Sequence, residues 1–142
     1  MTFTISAYFG SDGYEMPVET EAGVSNFIAH LLAEAKKDAD NNLAALYINE
    51  RPKNERGLPD HEIRVGINPK LSAAALGFTD VDGSFYAQGK RDGDADVPYF
   101  SEGHDESFPP DSVVTVELIR KAIMEMLTTG KRATDVNWKS VY

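Results

Sequence analysis

Apolar and polar residues alternate over residues 2–9, with Phe3, Ile5 and Ala7 on one side, before Gly10-Ser11-Asp12-Gly13 breaks the pattern. A period of two that stops at a glycine-rich break predicts a strand followed by a turn. The period then changes: over residues 21–37, Val24, Phe27, Ile28, Leu31, Leu32 and Ala35 recur at helical spacing. Thr20 is placed to cap the N-terminus, Glu21 sits in the first turn, and Lys36 and Lys37 sit in the last, so every local preference agrees on a helix. Residues 43–48 form an apolar run too short for a helix, bounded by Asn41-Asn42 and Asn49-Glu50-Arg51-Pro52. That run predicts a central strand, followed by a polar loop as far as Pro59.

Strict alternation returns over residues 61–67, with Ile63, Val65 and Ile67 on one face, and Asn68-Pro69 turns the chain into residues 71–78. This reads as a hairpin. Two more strands are predicted near residues 84–88 and 98–101, joined by the loop 90–96, which extends the hairpin into an antiparallel meander. Pro109-Pro110-Asp111 ends it. Thr115 then caps a second helix in which Val116, Ile119, Ala122, Ile123, Met126 and Leu127 form one stripe, and Gly130 closes the last turn. Residues 134–142 predict a final strand. Without a repeat, a linker or a low-complexity stretch, the expectation is one α+β domain over residues 1–142. Its antiparallel β-sheet has about six to seven strands, with two amphipathic helices packed on it.

Length and composition change this picture little. A chain of 142 residues can bury a sizeable core, roughly 70% of the surface its unfolded form exposes. There are no cysteines, so disulfides, thiolate metal sites and cysteine nucleophiles are excluded together, which is compatible with a reducing compartment. The first residues lack the basic and apolar regions of a secretion signal, and no apolar run approaches membrane-spanning length. A soluble cytoplasmic protein is expected.

Charge changes the picture more. The formal net charge is -9, and nucleic acid or an anionic membrane is not an expected partner, because contact with phosphates needs lysine and arginine at the surface. Much of the imbalance is local: Asp80, Asp82, Asp92, Asp94, Asp96, Glu102, Asp105 and Glu106 face only Lys90 and Arg91 between positions 80 and 106. Phe85, Tyr86, Tyr99 and Phe100 are interleaved with them. A charge run often does no more than keep a protein soluble. Here, however, each aromatic pair straddles both faces of a predicted strand, so one ring can enter a core while the other faces out. These features predict a docking surface for a basic protein, with Tyr86 and Tyr99 as the anchors, His104 beside them, and the eight acids around them.

Candidate chemistry is sparse. Asp92, Asp94 and Asp96 have the spacing of a calcium loop, but Val97 stands where that loop needs glycine and Gly103 where it needs a bidentate glutamate. His30, His61 and His104 are isolated from one another, and no His-Glu-x-x-His pattern occurs. There is no Gly-x-Ser-x-Gly elbow, and neither Gly89-Lys90-Arg91 nor Gly130-Lys131-Arg132 completes a phosphate loop. No catalytic residue, metal ligand or cofactor is assigned. A small metal-dependent enzyme or metal-binding module centred on His104, Asp92, Asp94 and Asp96 remains the rival reading.

From the second helix onward the chain reads Val116-Glu117-Leu118-Ile119-Arg120-Lys121-Ala122, then Thr128-Thr129-Gly130-Lys131-Arg132-Ala133-Thr134-Asp135-Val136-Asn137-Trp138. Upstream lie Leu46-Tyr47-Ile48, the strand from Asp60 to Gly66, Gly83 to Tyr86, and Tyr99-Phe100 with Gly103 and His104. In this order the segments resemble the first-numbered immunity-protein family of bacterial polymorphic toxin systems. The chain departs from the family pattern at Ala133, where proline is usual, and at Lys139, where glutamate is usual. The resemblance implies a small cytosolic antidote that binds a cognate toxin domain, often of the deaminase superfamily, and has no catalytic residues of its own.

Overall fold

A computed structural model describes residues 2–10, 14–91, 93–101 and 104–141, apart from the side chain of His104. In chain order the elements are β1 (Ile5–Phe9), β2 (Tyr14–Val18), α1 (Glu21–Lys37), β3 (Leu43–Ile48), β4 (Glu62–Asn68), β5 (Ala73–Asp80), β6 (Gly83–Ala87), β7 (Val97–Ser101), β8 (His104–Phe108), α2 (Val116–Thr129) and β9 (Trp138–Ser140). Seven strands form one antiparallel sheet in the order β2-β1-β3-β4-β5-β6-β9, and β7 pairs with β8 in a separate hairpin. The α+β class, the strand number and the two helices are as the sequence predicts.

Both helices begin and end where their caps dictate. Thr20 Oγ1 accepts the Gly23 N–H at 3.0 Å, and Thr115 Oγ1 accepts the Leu118 N–H at 3.0 Å. α2 stops at Gly130, which adopts a left-handed φ of 70° and donates its N–H to the Met126 carbonyl at 2.8 Å. A Cβ at Gly130 would also lie 2.6 Å from the Phe3 ring, so that position is closed to a side chain twice over. The stripes of α1 and α2 bury Phe27, Leu31, Ile119, Ile123 and Met126 against one face of the sheet, where Ile5, Leu46, Ile63, Val65, Leu76 and Phe78 meet them.

The opposite face carries a second, smaller core. There the β7–β8 hairpin lies against Leu43, Ala73, Ala75 and Tyr86, bringing in Val97, Tyr99 and Phe108. Two glycines make room for it. A Cβ on Gly66 would fall 2.4 Å from the Tyr99 ring, and one on Gly77 would fall 3.2 Å from the Phe108 ring.

Three strand expectations need correction. β6 does not continue the meander into β7; it pairs with β9, through Tyr86 with Lys139 and Ala87 with Trp138, and β7 crosses to the other face. β2 and β8 are strands that the alternation did not reveal. β2 carries Pro17, tolerable because β2 is an edge strand and the missing N–H leaves no internal ladder position unpaired. β8 is almost wholly polar, and its register comes from pairing with β7 instead of from an apolar face of its own.

Candidate partner-binding surface

The two predicted anchors are not at the surface. Tyr86 is 3% exposed and Tyr99 0%, each packed in the smaller core. The alternation places one ring of each pair inward, but the buried ring is the tyrosine in both cases, leaving Phe85 and Phe100 half-exposed. Parity explains the inversion. Tyr86 lies opposite Gly77 on the hairpin face of the sheet, and Tyr99 drops into the slot above Gly66. The Tyr86 hydroxyl donates to Asp111 at 2.7 Å, and Gln88 and Lys139 donate to the same carboxylate at 3.1 and 3.2 Å. Donation from Tyr86, then from Lys139 and Gln88, holds Asp111 below the usual carboxylate range, whereas burial and the Asp111 charge push the Tyr86 hydroxyl up. Tyr86 and Tyr99 are therefore packed inside the smaller core, where both help to seat the β7–β8 hairpin on the sheet.

The predicted acids fall into three separate places. Asp80 and Asp82 form the β5–β6 turn, where Asp80 accepts the Asp82 N–H at 2.9 Å. Asp94 and Asp96 are exposed in the loop before β7, and Asp94 lies 3.3 Å from Arg91. Asp105 faces solvent on β8, while Glu106 turns inward to bond Arg64. Asp92, Glu102 and the His104 side chain lie outside the described residues.

The positions sequence reasoning missed are those on the uncovered half of the sheet. In β1, β3 and β4 the residues alternating with the helix-side core are Ser6 and Tyr8, Ala45 and Tyr47, and Glu62 and Arg64; the registers bring them together on one face. Tyr8, 39% exposed, meets the Tyr47 ring edge-on with centroids 5.9 Å apart and donates to Glu15 at 3.3 Å. Tyr47 donates to Glu62, and Arg64 bridges Glu62 to Glu106 on the hairpin. Burial and the Glu62 acceptor both push the Tyr47 hydroxyl well above its ordinary value. A bonded row thus runs from the hairpin across the sheet. The available signal was phase: Tyr8 and Tyr47 stand out of step with their apolar neighbours on strands whose other face must be core.

At one margin of this face is a cleft of about 410 Å³ lined by Tyr47, Leu58, Asp60, His61, Glu62 and Asp80, among others. His61 is its buried floor. Its Nε2 accepts the Ile48 N–H at 2.8 Å, so the proton sits on Nδ1, which donates to Asp60 at 2.8 Å. Burial pushes the imidazole below its ordinary value, and the neighbouring Arg51 charge lowers it further, against the opposing pull of Asp60. Burial also raises the Asp60 carboxyl, but hydrogen bonds from Arg51 and His61 outweigh this and hold it below its ordinary value. With both ring nitrogens committed, His61 is a structural group and not a poised base. Among the described residues, no group of three or more His, Cys, Asp or Glu side chains is arranged to hold a metal ion, and nothing there favours the metal-dependent reading.

The two positions that depart from the family pattern have local explanations. Ala133 is buried in the main core, and its carbonyl accepts the Trp138 indole N–H at 2.7 Å. Lys139 pairs with Asp111 from the edge strand β9. Arg132, which precedes Ala133, stacks over Phe85 at 4.2 Å and lies 5.7 Å from the Trp138 ring.

Among the described residues, no helix is long and apolar enough to cross a membrane. No curated protein sequence matches the chain at a significant level. The sequence profile of the family described as Immunity protein Imm1, however, matches residues 12–140, from just ahead of β2 to the end of β9. With nearly every element of the fold inside that match, the chain belongs to the Imm1 family of immunity proteins.

Proposed function

We propose that this immunity protein neutralises a cognate secreted bacterial toxin domain of the deaminase superfamily by stoichiometric binding in the cytoplasm, without catalysing a reaction itself. The observation that carries this reading is the family match over residues 12–140. Electrostatics supports it. A toxin that acts on nucleic acid needs a basic groove to hold phosphates, and a protein of net charge -9 offers carboxylates in their place. Asp80, Asp82, Asp94, Asp96, Asp105 and Glu106 contribute to the field that draws the toxin in, although they are spread over a turn, a loop and a hairpin.

The test is survival. Bacteria expressing the toxin domain encoded beside this chain are expected to grow only when the chain is co-expressed. Equal killing with and without a well-folded, abundant immunity protein would refute the reading.

A further inference from the structure

We infer that the toxin docks on the uncovered half of the sheet, the face carrying Tyr8, Glu15, Tyr47 and Glu62, and seats a lysine- or arginine-bearing segment there. The inference rests on the immunity reading above and adds the surface and the chemistry that fits it.

The fold leaves this face available. Helices α1 and α2 fill one side of the sheet, and the β7–β8 hairpin covers the other side over Leu43, Gly66, Ala75 and Gly77. Beyond the hairpin, among the described residues, no element packs over the tyrosine-bearing positions of β1 and β3. A solvent-facing strand position is ordinarily filled by a mobile polar side chain, yet here two tyrosines stand ring to ring. Tyrosine presents a large contact area with few rotors to immobilise, which favours it at the centre of protein interfaces.

Charge selects the occupant. Glu15, Asp60, Glu62, Asp80 and Glu106 border the face, while the guanidiniums that reach these acids, Arg51 and Arg64, are already bonded to Asp60 and to Glu62 and Glu106 respectively. The surplus is negative. Such a face repels phosphates, and a second copy of the chain related by a twofold axis would set these carboxylates against their own counterparts. A basic protein segment meets neither penalty. Hydrogen bonds among Tyr8, Glu15, Tyr47, Glu62 and Arg64 already hold the side chains in place, so little further ordering is needed on binding. Leu58, 54% exposed on the loop beside the cleft, adds an apolar contact at the rim.

This assignment separates docking from steering. Asp94 and Asp96, on the loop before β7, act only through the long-range field, whereas residues of the open face touch the toxin. The experiment uses the toxin domain encoded beside the chain as its probe and follows the backbone amides of the isotopically labelled immunity protein by NMR. The largest shifts are expected in β1, β3 and β4 around Tyr8, Tyr47 and Glu62. In parallel, Glu15→Lys and Thr79→Arg, both at exposed positions and the second in the lining of the cleft beside Tyr47 and Glu62, are expected to weaken the complex at least tenfold, whereas Asp94→Lys with Asp96→Lys changes the affinity less than threefold. Tight binding with shifts confined to the helices or to the outer side of the hairpin, and unchanged affinity in Glu15→Lys and Thr79→Arg, would overturn this surface while leaving the immunity reading intact. Failure of the unaltered proteins to associate at all would overturn both.

Discussion

His61 shows how much a single side chain can be constrained by its surroundings. The imidazole is buried under Tyr47 and against Phe78, accepts a backbone N–H at one nitrogen and donates its own N–H to Asp60 from the other. Protonating Nε2 would set two N–H groups against each other and place a cation in the interior. The folded protein therefore resists a proton that the unfolded chain takes up readily below the ordinary histidine value of about 6.5. Stability linked to His61 is complete above that value and is lost as pH falls toward the depressed folded-state value, with a slope of at most about 1.4 kcal/mol per pH unit for one proton. Carboxylates held low in the fold, such as Asp60 and Glu50, lose their contribution only at more acid pH, below about 4. Denaturant unfolding at a series of pH values should show the loss beginning between pH 7 and 6. In His61→Gln, whose amide can both accept from Ile48 and donate to Asp60, that window should flatten. An identical pH profile in the variant would show that another group is responsible.

At the scale of elements, what could be read from the chain depended on whether one residue type dominated each position. Both helices were legible to their ends because stripe and caps agreed, from Thr20 to Lys37 and from Thr115 to Gly130, with terminal charge adding to them in α1. β4 was legible because Ile63, Val65 and Ile67 alternate strictly. β2 and β8 were not, since one is an edge strand holding a proline and the other gains order mainly from its partner. The hairpin's crossing to the far face was hidden as well, because it is fixed by what Gly66 and Gly77 lack. That crossing is testable. Gly66→Ala should destabilise the protein by about 1–3 kcal/mol through overpacking against Tyr99. Tyr99→Leu, which removes the opposing ring, should relieve part of this in the double variant, giving a coupling of about 1 kcal/mol by chemical denaturation. Strict additivity would mean that the hairpin is not seated in this slot.

For the whole molecule, the sign of the charge and the order of the segments were legible in the sequence, but which distant residues share a face was not. Acidic composition pointed to a basic partner, yet the run from Asp80 to Glu106 drew attention to residues that the fold scatters or, for Tyr86 and Tyr99, buries. The residues that share a face, Tyr8, Glu15, Tyr47 and Glu62, come from three parts of the chain and meet only through strand pairing. Sheet order, which no local pattern encodes, therefore decides the candidate site. The central claim is that this protein acts by occupying a toxin and not by altering a substrate. The most direct measurement is a titration of the toxin domain's activity with purified immunity protein. Activity should fall linearly and reach zero at one equivalent, with no dependence on preincubation time once the complex has formed. Inhibition that instead develops slowly at a small fraction of an equivalent, as turnover by the immunity protein would produce, would contradict the account.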